Sequence, residues 1–242
     1  MHLESLQGKV AVVTGASRGI GRCSAIALAK EGVNIVAVAR TEAELDSLTK
    51  ECMNLGVKAV SVPADVTKET EVQRLKAVAT KAFPHIDILV NNAGVAKYSP
   101  LLGLTTEDYD WMMNVNMRST FLCTHAFLPE MVTRGSGTII LISSQAGFNG
   151  YPGETVYCAT KFAQVGFALA LDAEVREHNV KVSVIAPGSV RTTFAFGTGR
   201  TEGQPDLALM MEAEDVADAV VFAAAQPTKS RVLVVGMRPM NE

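Results

Sequence analysis

Tyr157 and Lys161 stand four residues apart in Tyr-Cys-Ala-Thr-Lys, at the start of a strongly periodic segment. On a helix this spacing puts both side chains on one face, one turn apart. A free tyrosine titrates at a pKa of about 10 and exchanges protons poorly near neutrality, but an adjacent ammonium favours the phenolate and lowers that value. The pair can therefore serve as acid and base. The same spacing also occurs on many helix surfaces without any chemistry, so it needs company before it means anything. Cys158, Phe162, Val165 and Leu169 form the neighbouring apolar stripe.

A second candidate lies near the N-terminus. The run Thr14-Gly15-Ala16-Ser17-Arg18-Gly19-Ile20-Gly21 follows a short apolar strand and opens a helical segment. Glycines there let backbone approach a phosphate, and the helix N-terminus adds free N–H groups and partial positive charge. Glycines also make ordinary tight turns; the position between first strand and first helix favours a dinucleotide cradle. In such a cradle an acidic residue about 20 positions on holds the ribose hydroxyls, whereas an arginine accommodates a 2′-phosphate. The second strand ends Val38-Ala39-Arg40-Thr41 and carries no acid. Arg40 can pair with a 2′-phosphate in a charge-assisted fork, with Arg18 assisting, so NADP(H) is the expected cofactor. The alternative for Arg40 is a solvated residue at a strand end.

These groups must be placed by the elements around them. Short β-rich runs alternate with longer helical segments: Val10–Val13, Val33–Ala39, Val57–Val62, Ile86–Val90, Thr138–Ile142, Val180–Ile185 and Arg231–Val235 among eight strand-like runs in all. Helical candidates cover Gly19–Lys30 and residues near 42–54, 68–82, 106–134, 156–178 and 213–225. The rhythm predicts an α/β fold with βαβ units and a parallel sheet. Several strands are apolar at consecutive positions, as expected of a doubly wound sheet covered by helices on both faces. No linker or repeat breaks the pattern, so residues 1–242 read as one dinucleotide-binding and catalytic domain. The irregular stretch from Thr192 to Pro205, rich in glycine, reads as a mobile surface segment within a substrate loop near 191–212.

Composition narrows the function classes. The chain has 242 residues, 48% of them hydrophobic and 19% charged, enough for a sizeable core. Its net charge of −3 and the lack of any basic tract argue against nucleic acid. Cys23, Cys52, Cys123 and Cys158 have no ligand or disulfide spacing and read as small core residues, which favours a reducing, cytoplasmic setting. The opening Met-His-Leu-Glu-Ser-Leu-Gln-Gly is unlike a signal peptide, the mature chain is expected to start at or near Met1, and the apolar runs are too short to span a bilayer. His2, His85, His125 and His178 lack metal-ligand spacing, so no catalytic metal is expected.

The glycine turn, Asn91-Asn92-Ala93-Gly94 after the fourth strand, Asn116 in Asn-Val-Asn, Ser144 in Ile-Ser-Ser, Tyr157-x-x-x-Lys161 and Pro187-Gly188 occur together and in order. That set, running from roughly Leu6 to Val235, resembles the short-chain dehydrogenase/reductase family in its common short form. It is similar in particular to carbonyl reductases of the 3-oxoacyl-ACP reductase kind. The resemblance implies a Rossmann-like fold and hydride transfer between nicotinamide and a ketone or secondary alcohol. It further implies that Ser144, thirteen residues before Tyr157, holds the substrate carbonyl, with Ser143 as the obvious decoy. Tyr157 is then the proton donor, Lys161 holds the ribose hydroxyls and lowers the tyrosine pKa, and Asn116 fixes a water linking that lysine to solvent. Cofactor contacts carry over to Gly15, Ser17, Arg18, Gly19, Ile20, Gly21 and Arg40, to Asp65 and Val66 beside the adenine, and to Asn92, Ala93 and Gly94 along the ribose. Pro187, Gly188, Val190 and Thr192 fall around the nicotinamide. Asp65 has an alternative role as a cap for the next helix, and Pro187-Gly188 as a plain turn.

Phe148, Tyr151, Phe194, Phe196, Met210 and Met211 flank the site in the family's topology, and are either a substrate wall or ordinary core. Arg191 reads as solvent-facing, with steering of an anionic substrate as the alternative. Many relatives end in Asp-Gly-Gly, whereas this chain ends Val235-Gly236-Met237-Arg238-Pro239-Met240-Asn241-Glu242. That departure bears on subunit packing and one edge of the substrate pocket. The resemblance implies a homo-oligomer, tetramer or dimer, built through the two long helices, with a small carbonyl or alcohol as substrate and no nucleic-acid or membrane partner. The competing class is a non-catalytic NADP(H)-sensing protein, or a scaffold that binds no dinucleotide; only the enzyme needs Asn116, Ser144, Tyr157 and Lys161 together.

Overall fold

The computed structural model describes residues 3–240. Within it seven parallel strands form one sheet in the order β3-β2-β1-β4-β5-β6-β7. They are β1 (Val10–Thr14), β2 (Asn34–Ala39), β3 (Ala59–Pro63), β4 (Ile88–Asn91), β5 (Gly137–Ile142), β6 (Val180–Pro187) and β7 (Val234–Met237). The described residues form seven strands where the sequence counts eight strand-like runs. β7 starts three residues later than its apolar run, because Ala186 and Pro187 prolong β6 and pair with Gly236 and Met237.

The consecutive apolar residues of the strands divide between two cores. Val10 and Val12 face one side with Ile139 and Leu141 of β5, while Ala11 and Val13 face the other with Ile140 and Ile142. The first core is covered by α3 (Glu69–Ala82), α5 (Ser119–Arg134) and α6 (Thr155–Val175). The second is covered by α1 (Gly19–Lys30), α2 (Glu42–Asn54) and α7 (Ala213–Ala224). Each fully buried Leu, Ile or Phe, such as Leu28, Ile139 or Phe127, contributes about 1.5–3 kcal/mol, so these layers hold the sheet rigid.

Two helices differ from their expected form. The periodic segment 106–134 divides into α4 (Thr106–Met113), a π-helical turn at Asn114–Arg118, and α5. Thr105 and Asp108 close a reciprocal capping box that starts α4. In the π-turn Ser119 and Thr120 return their hydroxyls to the carbonyls of Val115 and Asn116, at 2.6 and 2.8 Å. The insertion turns Asn116 wholly inward. On α6 the expected apolar stripe splits: Cys158 and Val165 are buried, whereas Phe162 and Leu169 are 48% and 44% exposed. At about 100° per residue, Phe162 and Leu169 lie to one side of Cys158 and Val165 around the axis, so the exposed pair forms the flank of the stripe turned away from the core.

The strand order reverses between β1 and β4, and at such a switch point the connections leave in opposite directions and open a crevice beyond the strand ends. Thr14-Gly15 and Asn91-Asn92 leave the sheet on its two sides. The segment 191–204 folds over this crevice. It is tied down, contrary to its mobile appearance in sequence: Tyr98 N donates to the Thr198 carbonyl at 2.7 Å, and Thr198 Oγ1 donates to the Ala96 carbonyl at 2.7 Å.

Candidate active site

A cleft of about 850 Å³ runs along the strand ends from Arg40 to Arg238. Its floor is the turn after β1. Asn92 binds that turn across the switch point, donating Nδ2 to the carbonyls of Thr14 and Gly15 at 2.9 and 3.2 Å. The packing explains two of the glycines. A Cβ on Gly15 would sit 2.8 Å from Asn92 Nδ2, and one on Gly21 would collide with the Gly15 carbonyl and the same Asn92 amide. Gly15 and Gly19 also have φ of +65° and +55°, where side-chain residues are strained. Gly21 thus supports the turn from behind and does not line the cleft, whereas Gly15, Ser17, Arg18, Gly19 and Ile20 do.

At the far end of β2, Arg40 and Arg18 are exposed and line the cleft. Neither guanidinium hydrogen-bonds or ion-pairs with any described residue. Asp65 and Val66 line the same end. Asp65 Oδ1 accepts from Thr67 N at 3.1 Å and Thr67 Oγ1 at 2.7 Å, holding the turn before α3, whereas the helix cap itself is Lys68 with no side-chain capping bond. Burial pushes the Asp65 carboxyl up, but the Thr67 bonds and the Lys68 and Arg40 charges outweigh this and hold it below its ordinary value. Ala93, Gly94, Pro187, Gly188, Val190 and Thr192 all line the middle of the cleft. The exposed Arg18 and Arg40 and the glycine turn that opens α1 suit a dinucleotide.

Ser144 and Tyr157 meet at the other end. Ser144 follows β5, its hydroxyl accepting from Ala146 N at 3.1 Å and lying near enough to Tyr157 to lower its pKa. Ser143, its neighbour, instead donates to the Lys161 carbonyl at 3.2 Å. Both serines line the cleft, but their hydroxyls have different partners. Lys161 Nζ sits 5.6 Å from the Tyr157 ring centroid and donates to the Ile142 carbonyl and Gln164 Oε1, each at 3.0 Å. Burial brings the Lys161 pKa down to about 7.

Tyr157 departs from the sequence-based expectation. Its pKa lies above the ordinary tyrosine value, because burial comes first among the causes; Tyr98 and Glu154 add to it, and Ser144 and Arg200 only partly offset it. Lys161, by the ring and bonded to Ile142 and Gln164, is not among the causes of that shift. The hydroxyl is therefore held protonated near neutrality, as a proton donor must be.

Asn116 does not line the cleft. Its side chain closes on the chain itself: Nδ2 donates to the Val95 carbonyl and Thr160 Oγ1, both at 2.9 Å, and Oδ1 accepts from Val95 N at 2.8 Å.

The outer wall is aromatic. Tyr98 packs edge-on to Tyr157 with centroids 5.8 Å apart, and Phe194 approaches it at 6.0 Å. Tyr151, Phe196 and Trp111 complete the wall, while Phe148, Met210 and Met211 lie outside it. Arg200 sits 6.0 Å from the Tyr98 ring, and Arg238 donates to Gln145 Oε1 at 3.0 Å. Sequence reasoning missed Tyr98, Trp111, Arg200 and Arg238; Trp111 is on α4 and the others lie in segments between or after the regular elements, none within a local motif. Arg191 lies outside the cleft and pairs with Glu212, its Nε 3.0 Å from Oε2.

Among the described residues no group of three His, Cys, Asp or Glu side chains could hold a metal ion; His2 lies outside them, as do Asn241 and Glu242. All four cysteines are free thiols, and Cys23, only partly buried, donates to Glu214 at 3.4 Å. Among the described residues no helix is long and apolar enough to cross a membrane.

This architecture is shared with known proteins. The model of the family described as short chain dehydrogenase matches residues 9–202. The chain is 35% identical over 239 residues to a sepiapterin reductase of Chlorobaculum tepidum, covering 96% of each protein. It is 35% identical to a 3-oxoacyl-[acyl-carrier-protein] reductase of Synechocystis sp. over 236 residues, covering 95% of this chain and 94% of that one. An alcohol dehydrogenase from the archaeon Thermococcus sibiricus, solved in complex with 5-hydroxy-NADP, superposes with a TM-score of 0.90 at 29% identity over 98% of each chain. The chain belongs to the short-chain dehydrogenase/reductase family, oxidoreductases acting on CH–OH and C=O groups.

Proposed function

We propose that the protein is an NADP(H)-dependent carbonyl reductase and, in reverse, an alcohol dehydrogenase. The observation that carries this reading is the Ser144–Tyr157 hydroxyl pair at one end of a cleft whose other end presents two unpaired arginines. When bound, the nicotinamide supplies or accepts the hydride. The chain's own residues do the rest. Ser144, Tyr157, Lys161 and Asn116 are the catalytic set, with Asn116 acting from behind the cleft wall. Ser144 orients the carbonyl oxygen toward the Tyr157 hydroxyl, and Tyr157, held protonated, gives its proton to that oxygen as negative charge develops. The Lys161 ammonium stabilises the phenolate left behind, and Ser144 shares that charge. In oxidation the same phenolate takes the alcohol proton.

Arg40, with Arg18, favours NADP(H) over NAD(H), since no acid stands at the end of β2 to hold a free 2′-hydroxyl. The complex of the Thermococcus relative with an NADP derivative supports this. The aromatic wall of Tyr98, Trp111, Tyr151, Phe194 and Phe196, within the 191–212 substrate loop and its neighbours, suits a ketone with planar or apolar flanks. Sepiapterin and 3-oxoacyl thioesters, after the relatives' names, head the substrate panel. Phe121, Phe162 and Leu169, exposed on α5 and α6, favour a homo-oligomer through these helices, which light scattering on the purified protein would resolve. The free thiols suit a cytoplasmic protein.

The test is NADPH and NADH consumption against sepiapterin, acetoacetyl thioesters, aromatic ketones and diketones. Turnover with NADPH in preference to NADH is the expected result. NADPH binding without turnover on every member would replace the enzyme reading with the sensor.

A further inference from the structure

Gln164 lies three residues beyond Lys161 on α6 and is wholly buried. A buried primary amide is tolerated only when its donors and its acceptor are all met. Its Nε2 donates to the Asn116 carbonyl at 2.8 Å and to Thr120 Oγ1 at 3.1 Å. Thr120 spends its own proton on the same Asn116 carbonyl, at 2.8 Å, so its oxygen is free to accept. Both amide protons are thereby committed to the α5 side, and Oε1 is left facing Lys161 Nζ at 3.0 Å. The amide cannot be flipped: its NH₂ would then oppose an ammonium, and its oxygen would oppose a carbonyl.

The consequence falls on the lysine. Nζ has three protons; the Ile142 carbonyl and Gln164 Oε1 take two, leaving one for the cleft that Lys161 lines. The resemblance implies that Asn116 fixes a water linking the lysine to solvent; the Asn116 carbonyl already accepts from Gln164 and Thr120. Gln164 occupies that connection with a covalent side chain. We propose that Gln164 is a positioning residue that joins the Asn116 carbonyl of the π-turn to the Lys161 ammonium and directs the remaining ammonium proton into the cleft. This rests on the proposed function for the roles of Tyr157 and Lys161.

An amide oxygen held at 3.0 Å from Nζ stabilises the charged lysine, opposing the burial that draws its pKa down to about 7. No side-chain charge is among the causes of that shift. The titratable and charged groups around the pair act on Tyr157: Tyr98 after β4, Glu154 just before α6 and Arg200 after β6, with the Ser144 hydroxyl after β5. None is altered by changing Gln164.

The experiment measures the Lys161 titration midpoint in the ligand-free protein, by NMR with ¹³C-labelled lysine and the signal assigned by its loss in Lys161→Arg. Gln164→Leu, which keeps the volume and removes the acceptor, should lower the midpoint by about one pH unit and move the pH profile of kcat the same way. The ketone KM should change little. Gln164→Glu returns an acceptor and should bring the midpoint back to the wild-type value or above. A purely structural role would move both variants' melting temperatures and leave both midpoints unmoved, and that result overturns the proposal. If Gln164→Leu does not fold, a lower midpoint in Gln164→Glu overturns it equally. A Tyr157→Phe enzyme with full turnover would remove the proposed function while leaving the Lys161 titration intact; an unmoved midpoint beside an inactive Tyr157→Phe enzyme removes the Gln164 coupling alone.

Discussion

The two ends of the cleft solve opposite problems with the same sheet. At the Ser144–Tyr157 end nearly every polar group is satisfied from within: Asn116, Thr120, Thr160, Lys161 and Gln164 bond one another in a buried network. At the Arg40 end two guanidiniums stand exposed with no partner among the described residues. A network closed on itself fixes positions before substrate arrives, as proton transfer needs. Open cations instead leave binding energy for a ligand to collect, as recognition needs. On the proposed function, the contrast divides the cleft into a half that does chemistry and a half that selects what comes to it.

The sharpest way to break that division is Tyr157→Phe. It should lower the single-turnover reduction rate by about 10²–10⁴-fold, the usual worth of general acid catalysis, while NADPH affinity by fluorescence titration stays near wild type. Loss of both together would mean that the ends are not separate.

A second test uses stability. The Lys161 pKa, about 7 in the fold against an ordinary 10.5, means that the unfolded chain binds this proton more tightly. Stability should therefore rise with pH between these values, by up to about 1.4 kcal/mol per unit, and the full penalty should apply below pH 7. Lys161→Met should abolish that rise in denaturant midpoints measured across the window. An unchanged slope would show that water reaches the lysine and that the closed end is open.

The floor joining the ends gives a smaller effect. Gly21→Ala places a Cβ against the Gly15 carbonyl and should cost about 1–3 kcal/mol in chemical denaturation, despite alanine's better helix propensity. A stabilised variant would show that the Asn92-braced turn yields easily. Smallest is Arg40→Ala, which should weaken NADPH about tenfold in calorimetric titration and leave NADH unaffected, the worth of one charged hydrogen bond. Equal effects on both nucleotides would take Arg40 away from the 2′-phosphate.

Much of the fold was legible because its signals are local. The apolar runs of β1, β2 and β5 and the limits of α1 and α2 follow from periodicity and turn residues within a few positions. The single long helix expected over 106–134 failed for a reason of the same locality: a π-turn leaves hydrophobic spacing almost intact and shows only in where Asn116 points. At the site, the motif residues lie in the cleft or against its wall: the glycine turn, Asn92, Ser144 and Pro187 sit at strand ends, Tyr157 and Lys161 on α6 and Asn116 in the π-turn. Tyr98, Trp111 and Arg200 were invisible because long-range folding, not spacing, brings them there. Gln164 did leave a trace, a glutamine in an otherwise apolar turn beside Lys161, but its meaning depends on Asn116 and Thr120, more than forty residues away. The raised Tyr157 pKa was likewise unreadable, because burial of the ring outweighs the lysine whose position in the sequence suggested the reverse.

The most direct test of the central claim follows the hydride itself. The protein is incubated with NADPH deuterated at C4 of the nicotinamide and the best ketone of the panel, and the alcohol is analysed by mass spectrometry and NMR. The account predicts one deuterium on the carbinol carbon, in one configuration, with no product from Tyr157→Phe on the same timescale. NADPH bound without deuterated alcohol, or equal product from the variant, would contradict it.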